Sequence, residues 1–148
     1  MKDLLSVVAI FMSLLALIIS WQGKDAALRI GAQQIVVDSM SDILISMDEY
    51  GIALGYDIKD LDRNEYNIKV LRHEFFPVRR NLEKMKLVAG DKLIKKIKNA
   101  MTNLNAVHGS YVSGGSPEEV SGLFQEFRAE IHALRDDIGS RSNDRALW

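Results

Sequence analysis

Few side chains in this sequence have the type and spacing for chemistry. The three histidines, His73, His108 and His132, each fall on a different predicted helix or helix end, none with a second ligand at metal-binding spacing. His73-Glu74 opens like the helix of a zinc protease, but Pro77 stands where the second histidine belongs. The apolar neighbours Phe75 and Phe76 point instead to a structural role for His73. With no cysteine, the chain can build neither a thiolate zinc site nor a disulfide framework. No metal, no cofactor and no small-molecule substrate is expected. Ser113-Gly114-Gly115-Ser116 precedes a helix and offers free amides to an anion, but Glu118 and Glu119 repel one and no Walker-type lysine follows. That segment reads as a connector and cap. Phe75, Phe76, Phe124 and Phe127 lie on helical apolar faces and read as core packing, not as an aromatic pocket.

Arg128 and His132 are the pair closest to a catalytic constellation, because a separation of four residues puts both on one helical face. The pair resembles the arginine and histidine of HEPN-type ribonucleases, which are helical bundles that dimerise to assemble their site. That resemblance implies RNA cleavage through Arg128 and His132. The spacing departs from the family pattern, with three intervening residues where those enzymes carry four to six. The main reading is therefore not an enzyme.

Basic residues are the other candidate footprint. Between Arg79 and Lys98 stand Arg79, Arg80, Lys84, Lys86, Lys92, Lys95, Lys96 and Lys98 against Glu83 and Asp91, a net of +6, while Asp38–Asp62 carries a net of −6. The formal charge of −1 conceals this dipole. The basic segment holds no Phe, Tyr or Trp on which bases could stack, so nucleic acid is not an expected partner. Phosphate-only contact with a duplex is what remains, and its affinity would fall steeply with salt.

The elements that position these residues begin with an apolar rod. Leu4–Trp21 holds fifteen apolar residues and three serines in eighteen positions, without a charge. At ~1.5 Å per residue it crosses most of a ~30 Å hydrocarbon layer. Its eleven Leu, Ile, Val and Phe residues favour insertion by on the order of 3–6 kcal/mol, and Trp21 sits where an interfacial aromatic belongs. The exit Leu17-Ile18-Ile19-Ser20-Trp21 lacks the small residues of a cleavage site, so an uncleaved anchor is expected over residues 1–22. Ser6, Ala9, Ser13, Ala16, Ser20, Gly23 and Ala27 recur at alternating intervals of three and four, a stripe of small side chains of the kind membrane helices use to approach one another. A homo-oligomer is expected, dimer or ring. A ring that permeabilises the membrane is the alternative, with Ser6, Ser13 and Ser20 turned to a pore.

Beyond the anchor the periodicity predicts an all-α fold, an antiparallel four-helix bundle over residues 23–139 into which the transmembrane helix continues, with a loose tail at 140–148. The first helix runs to Gly55 on Val36, Met40, Ile43, Met47 and Leu54, and Asp57–Asp62 is read as a turn. A capping box at Asp62–Glu65 opens the second, whose face Ile68, Leu71, Phe75, Val78, Leu82 and Met85 passes in register through Pro77. Proline there removes one backbone bond and favours a bend, but the surviving register predicts one helix. Gly90-Asp91 opens a third helix on Ile94, Ile97, Met101 and Leu104, ending near His108-Gly109, with a loop over Gly109–Ser116. Ser116-Pro117-Glu118-Glu119 starts a fourth on Val120, Phe124, Phe127, Ile131, Leu134 and Ile138.

Helix lengths then suggest that the basic turn at Ala89–Asp91 returns to within about a Debye length of the headgroups, making the eight basic residues a membrane-surface patch. Lys24 and Arg29 follow the anchor while only Lys2 precedes it, which places the bulk of the chain on the cytoplasmic side. The tail residues Arg141, Arg145 and Trp148 are candidates to rest in the headgroup layer. The sequence as a whole reads as a single-pass, self-associating membrane protein whose bundle serves as an interaction or assembly module, its protein partner left open.

Overall fold

The computed structural model describes residues 2–60 and 65–140, the side chains of 2–11, 56–60, 65–68 and 70 excepted. Among the described residues the chain is entirely helical, with α1 over Lys2–Asp60, α2 over Glu65–Val88, α3 over Asp91–Ser113 and α4 over Pro117–Ser140. The helices neighbour one another in a ring, α1 beside α2, α2 beside α3, α3 beside α4, and α4 back against α1. Short connections at Ala89-Gly90 and at residues 114–116 make successive helices antiparallel.

The bundle closes because each helix turns an apolar stripe inward. Val36, Met40, Ile43, Met47, Tyr50 and Leu54 of α1 meet Leu71, Phe75, Val78, Leu82 and Met85 of α2, and α3 and α4 complete a single buried cluster. Fully burying a side chain of this size stabilises the fold by ~1.5–3 kcal/mol. The aliphatic register of α2 does pass through Pro77, and the helix is continuous there. Packing of the flanking Phe75 and Val78, 4% and 0% exposed, outweighs the one backbone bond that proline removes.

Two boundaries fall beyond their expected places. α1 continues past Gly55 to Asp60, so most of the turn expected at Asp57–Asp62 is helix, and the capping residue Asp62 lies outside the described residues. α3 passes straight through Gly109 to Ser113. The cause is Tyr111, 1% exposed, whose burial holds the next turn of helix onto the bundle. The actual stop is Gly114, in the left-handed region at φ 92°, with its N–H bonded to the Tyr111 carbonyl at 3.3 Å and that of Gly115 to the Ser110 carbonyl at 2.7 Å. On α3 the buried line is Leu93, Ile97, Ala100, Leu104, Val107 and Tyr111, with Ile94 and Met101 only half-buried at its edge.

The cap of α4 forms as its sequence implies, the Glu119 N–H donating to Ser116 Oγ at 3.2 Å. The Glu119 carboxylate does not close the box, accepting instead from Ser110 Oγ at 2.8 Å, which fastens the end of α3 to the start of α4. Lys96 and Asp137 form a second tie between the same helices. α4 ends at Ser140, and the tail with Arg141, Arg145 and Trp148 lies outside the described residues.

Candidate functional site

Outside the bundle, α1 is bare. Among its described side chains the first buried residue is Val36. Over the preceding turns Met12 (63%), Leu17 (71%), Ile19 (62%) and Trp21 (73%) stand exposed together with Leu14, Leu15 and Ile18, so large apolar side chains face outward over more than half of the helix circumference. The first half of the apolar stretch, Leu4–Phe11, lies outside the residues whose side chains are described. Among the described residues no helix carries a stretch long and apolar enough to cross a membrane. Of the small-residue stripe, Ser6 and Ala9 fall in the undescribed part, while Ser13, Ala16, Ser20, Gly23 and Ala27 lie on the bare length of α1. Gly23 has nothing near its Cα hydrogen to obstruct a second backbone.

The basic residues are spread over α2 and α3 with different neighbours. Arg79 and Arg80 line a shallow depression with Phe76 and Pro77, whereas Lys84 lies in another with Asp38 and Asp42 of α1. Lys86 pairs with Glu83 and Lys96 with Asp137. Lys92, Lys95 and Lys98 are exposed on α3. Leu87 and Val88 share their depression with Ile35, which fixes the height of the α2–α3 turn against α1. Fourteen residues separate Ile35 from Trp21, so the turn stands ~20 Å along the α1 axis from the end of the apolar stretch, about two Debye lengths.

Arg128 and His132 are not brought together in a cavity. Arg128 is exposed beside a cleft of about 510 Å³ between α1 and α4, whose lining includes Asp48, Gly51, Ile52, Ser121 and Phe124 but not His132. His73 is exposed and meets Glu74 at 3.2 Å, so it has no core role, and Phe76, 55% exposed, is not core either. Phe127 and Phe75 are buried as expected, and Phe124 is half-buried.

His108 is the histidine with a built environment. Its ring stacks on Phe75 with centroids 4.3 Å apart, and its Nδ1 is buried without a hydrogen-bond partner. Burial and the nearby Arg72 both push its pKa down, so the ring is held neutral. Phe75 also meets Tyr50 at 6.3 Å, and Tyr50 meets Phe124 at 6.0 Å. The Tyr50 hydroxyl is buried and unpartnered, with its pKa pushed up by burial and by Tyr111. This aromatic cluster reads as packing.

A second apolar set on α1 escaped the sequence reading. Ile30 (65%), Val37 (52%) and Ile45 (58%) are exposed on the side away from the core, and Ile52 (59%) continues their line at the edge of the α1–α4 cleft. Their spacings of seven, eight and seven are a helical period of their own, which the stronger core period of the same helix obscures. Comparison with known proteins finds no matching family, no similar characterised protein and no similar solved structure.

Proposed function

We propose that this is a single-pass membrane protein whose amino-terminal helix anchors and self-associates, presenting its four-helix bundle at the cytoplasmic face as an interaction or assembly module. The observation that carries the reading is the bare apolar length of α1. Seven large apolar side chains between Met12 and Trp21 are exposed over more than half of the helix circumference, the small residues Ser13, Ala16 and Ser20 taking the rest, and they continue an uncharged run that begins at Leu4. Left in water they would forgo on the order of 10 kcal/mol of transfer free energy, and a one-sided partner would cover only part of them. A lipid layer covers every side at once. Lys24 and Arg29 just beyond Trp21 favour retention of the bundle on the cytoplasmic side. The small stripe from Ser6 to Ser20 is the surface for helix association inside the layer, and Gly23 and Ala27 continue it just beyond. With two of the eight basic residues in ion pairs and the basic turn ~20 Å from Trp21, Arg79, Arg80 and the exposed lysines of α3 serve an acidic protein partner better than the lipid surface.

The test is extraction of the full chain from vesicles with alkaline carbonate. Retention in the pellet is expected, and Leu14→Lys with Leu17→Lys moves the chain to the supernatant. Complete extraction of the unaltered chain as a monomer overturns the reading. A reporter fused after Trp148 that is active only in the outer compartment overturns the orientation, and dye release from the vesicles at modest protein density transfers the conclusion to a pore.

A further inference from the structure

Beyond the membrane, α1 has two faces. One carries Val36, Met40, Ile43, Met47, Tyr50 and Leu54 into the core. At ~100° per residue, Ile30, Val37 and Ile45 fall roughly 100–180° away from that line. All three are more than half exposed, and no other helix of the bundle covers them. Their register is the same as that of the small stripe. From Ala27 the steps run three to Ile30, four to Gln34, three to Val37 and four to Ser41, continuing the alternation that begins at Ser6, and one further step of four reaches Ile45. Side chains in the amino-terminal part of this line are small and those beyond Ala27 are mostly β-branched, which suits close backbone contact in lipid and apolar packing in water.

We infer that this outer face of α1 is a parallel two-stranded seam that takes a second copy of the same chain, extending the association of the anchors into the bundle domain through Ile30, Val37 and Ile45. The inference rests on the anchored reading above, because copies held in one bilayer present the same face in the same direction. Area and charge both specify the occupant. From Ser13 to Ile45 the line runs ~48 Å, and two faces ~10 Å wide along that length bury ~1,000 Å², about what a specific interface requires. The part beyond Trp21 alone, at ~36 Å, gives only ~700 Å², so the seam needs its membrane half. No member of the line from Ser6 to Ile45 is charged, and the next, Asp48, borders the cleft between α1 and α4, which ends the contact there.

The absence of cysteine makes the test direct. Ile30→Cys, Val37→Cys and Ile45→Cys, each alone in the full chain, are reconstituted in phosphatidylcholine–phosphatidylglycerol vesicles and oxidised with copper phenanthroline. Leu28→Cys and Ile35→Cys serve as controls, being apolar and exposed (63% and 43%) on the opposite flank of the helix. Disulfide bonding requires Cα atoms within about 7 Å, so the seam positions should form covalent dimers at least ~10-fold faster than the controls. Equal rates at seam and control positions, or faster bonding at the controls, overturn the inference. Ser13→Cys separates the two levels. Dimers at Ser13 with none at Val37 or Ile45 overturn the seam and leave the membrane association standing, whereas no dimer at any position overturns both.

Discussion

Gly51→Ala should destabilise the bundle even though alanine is the better helix former, and the structure gives the reason. A Cβ on Gly51 would lie 2.7 Å from Cζ and 2.9 Å from Cε1 of Phe124, where ordinary contact begins at 3.4 Å. Phe124 in turn meets Tyr50 at 6.0 Å and Phe127 at 6.3 Å, so the ring cannot withdraw toward the core, though it borders the cleft between α1 and α4 and can move some way into it. Overpacking of one methyl costs ~1–3 kcal/mol. The gain from replacing glycine inside a helix is ~0.5–1 kcal/mol. The net loss is thus on the order of 1 kcal/mol, read as a lowered urea midpoint by far-ultraviolet circular dichroism on the full chain in detergent micelles. Phe124→Leu removes the atoms that clash, and in that background Gly51→Ala should stabilise by ~0.5–1 kcal/mol, a reversal of sign that gives the pair a coupling of ~2 kcal/mol. If Gly51→Ala raises the midpoint equally in both backgrounds, Phe124 does not sit over Gly51 and the α1–α4 contact is wrong.

Tyr50→Phe should leave stability unchanged or raise it by up to ~1 kcal/mol, because the hydroxyl is buried without a partner; a loss above 2 kcal/mol in the same unfolding assay would show that the hydroxyl is bonded. For His108, a folded-state pKa below the unfolded value of about 6.5 means that acid favours the unfolded chain, so its contribution is complete above about pH 6.5 and declines as pH falls below it. His108→Phe should flatten that part of the stability–pH curve, and an unchanged slope refutes the assignment. Ser116→Ala removes the bond to the Glu119 N–H and should cost ~1 kcal/mol, while Ser116→Asp should restore most of it in thermal unfolding.

Much of the fold is legible because core periodicity and helix caps are local. The face of α2 from Leu71 to Met85 and that of α4 from Val120 to Ile138 can be read directly from the sequence. What escapes is decided by partners far along the chain. Gly109 looks like a stop until Tyr111 is seen to be buried, and nothing in its neighbours announces that burial. His108 stacks on Phe75 across thirty-three residues of sequence, and Gly51 is small because Phe124 lies against it. Phe76 and Phe75 are adjacent and chemically alike, yet a helix turns one out and one in. Of the candidate site, the bare apolar stretch and the small stripe are visible in composition and spacing, but the second face at Ile30, Val37 and Ile45 emerges only once the core line of α1 is known.

The unbroken course of α1 from Lys2 to Asp60 has a mechanical consequence. An α-helix without a break has no joint, so this one behaves as a drive shaft. Torque applied to its amino-terminal end about the long axis is delivered to Met47, Tyr50 and Leu54, which are locked among the other three helices and cannot turn without dislodging them.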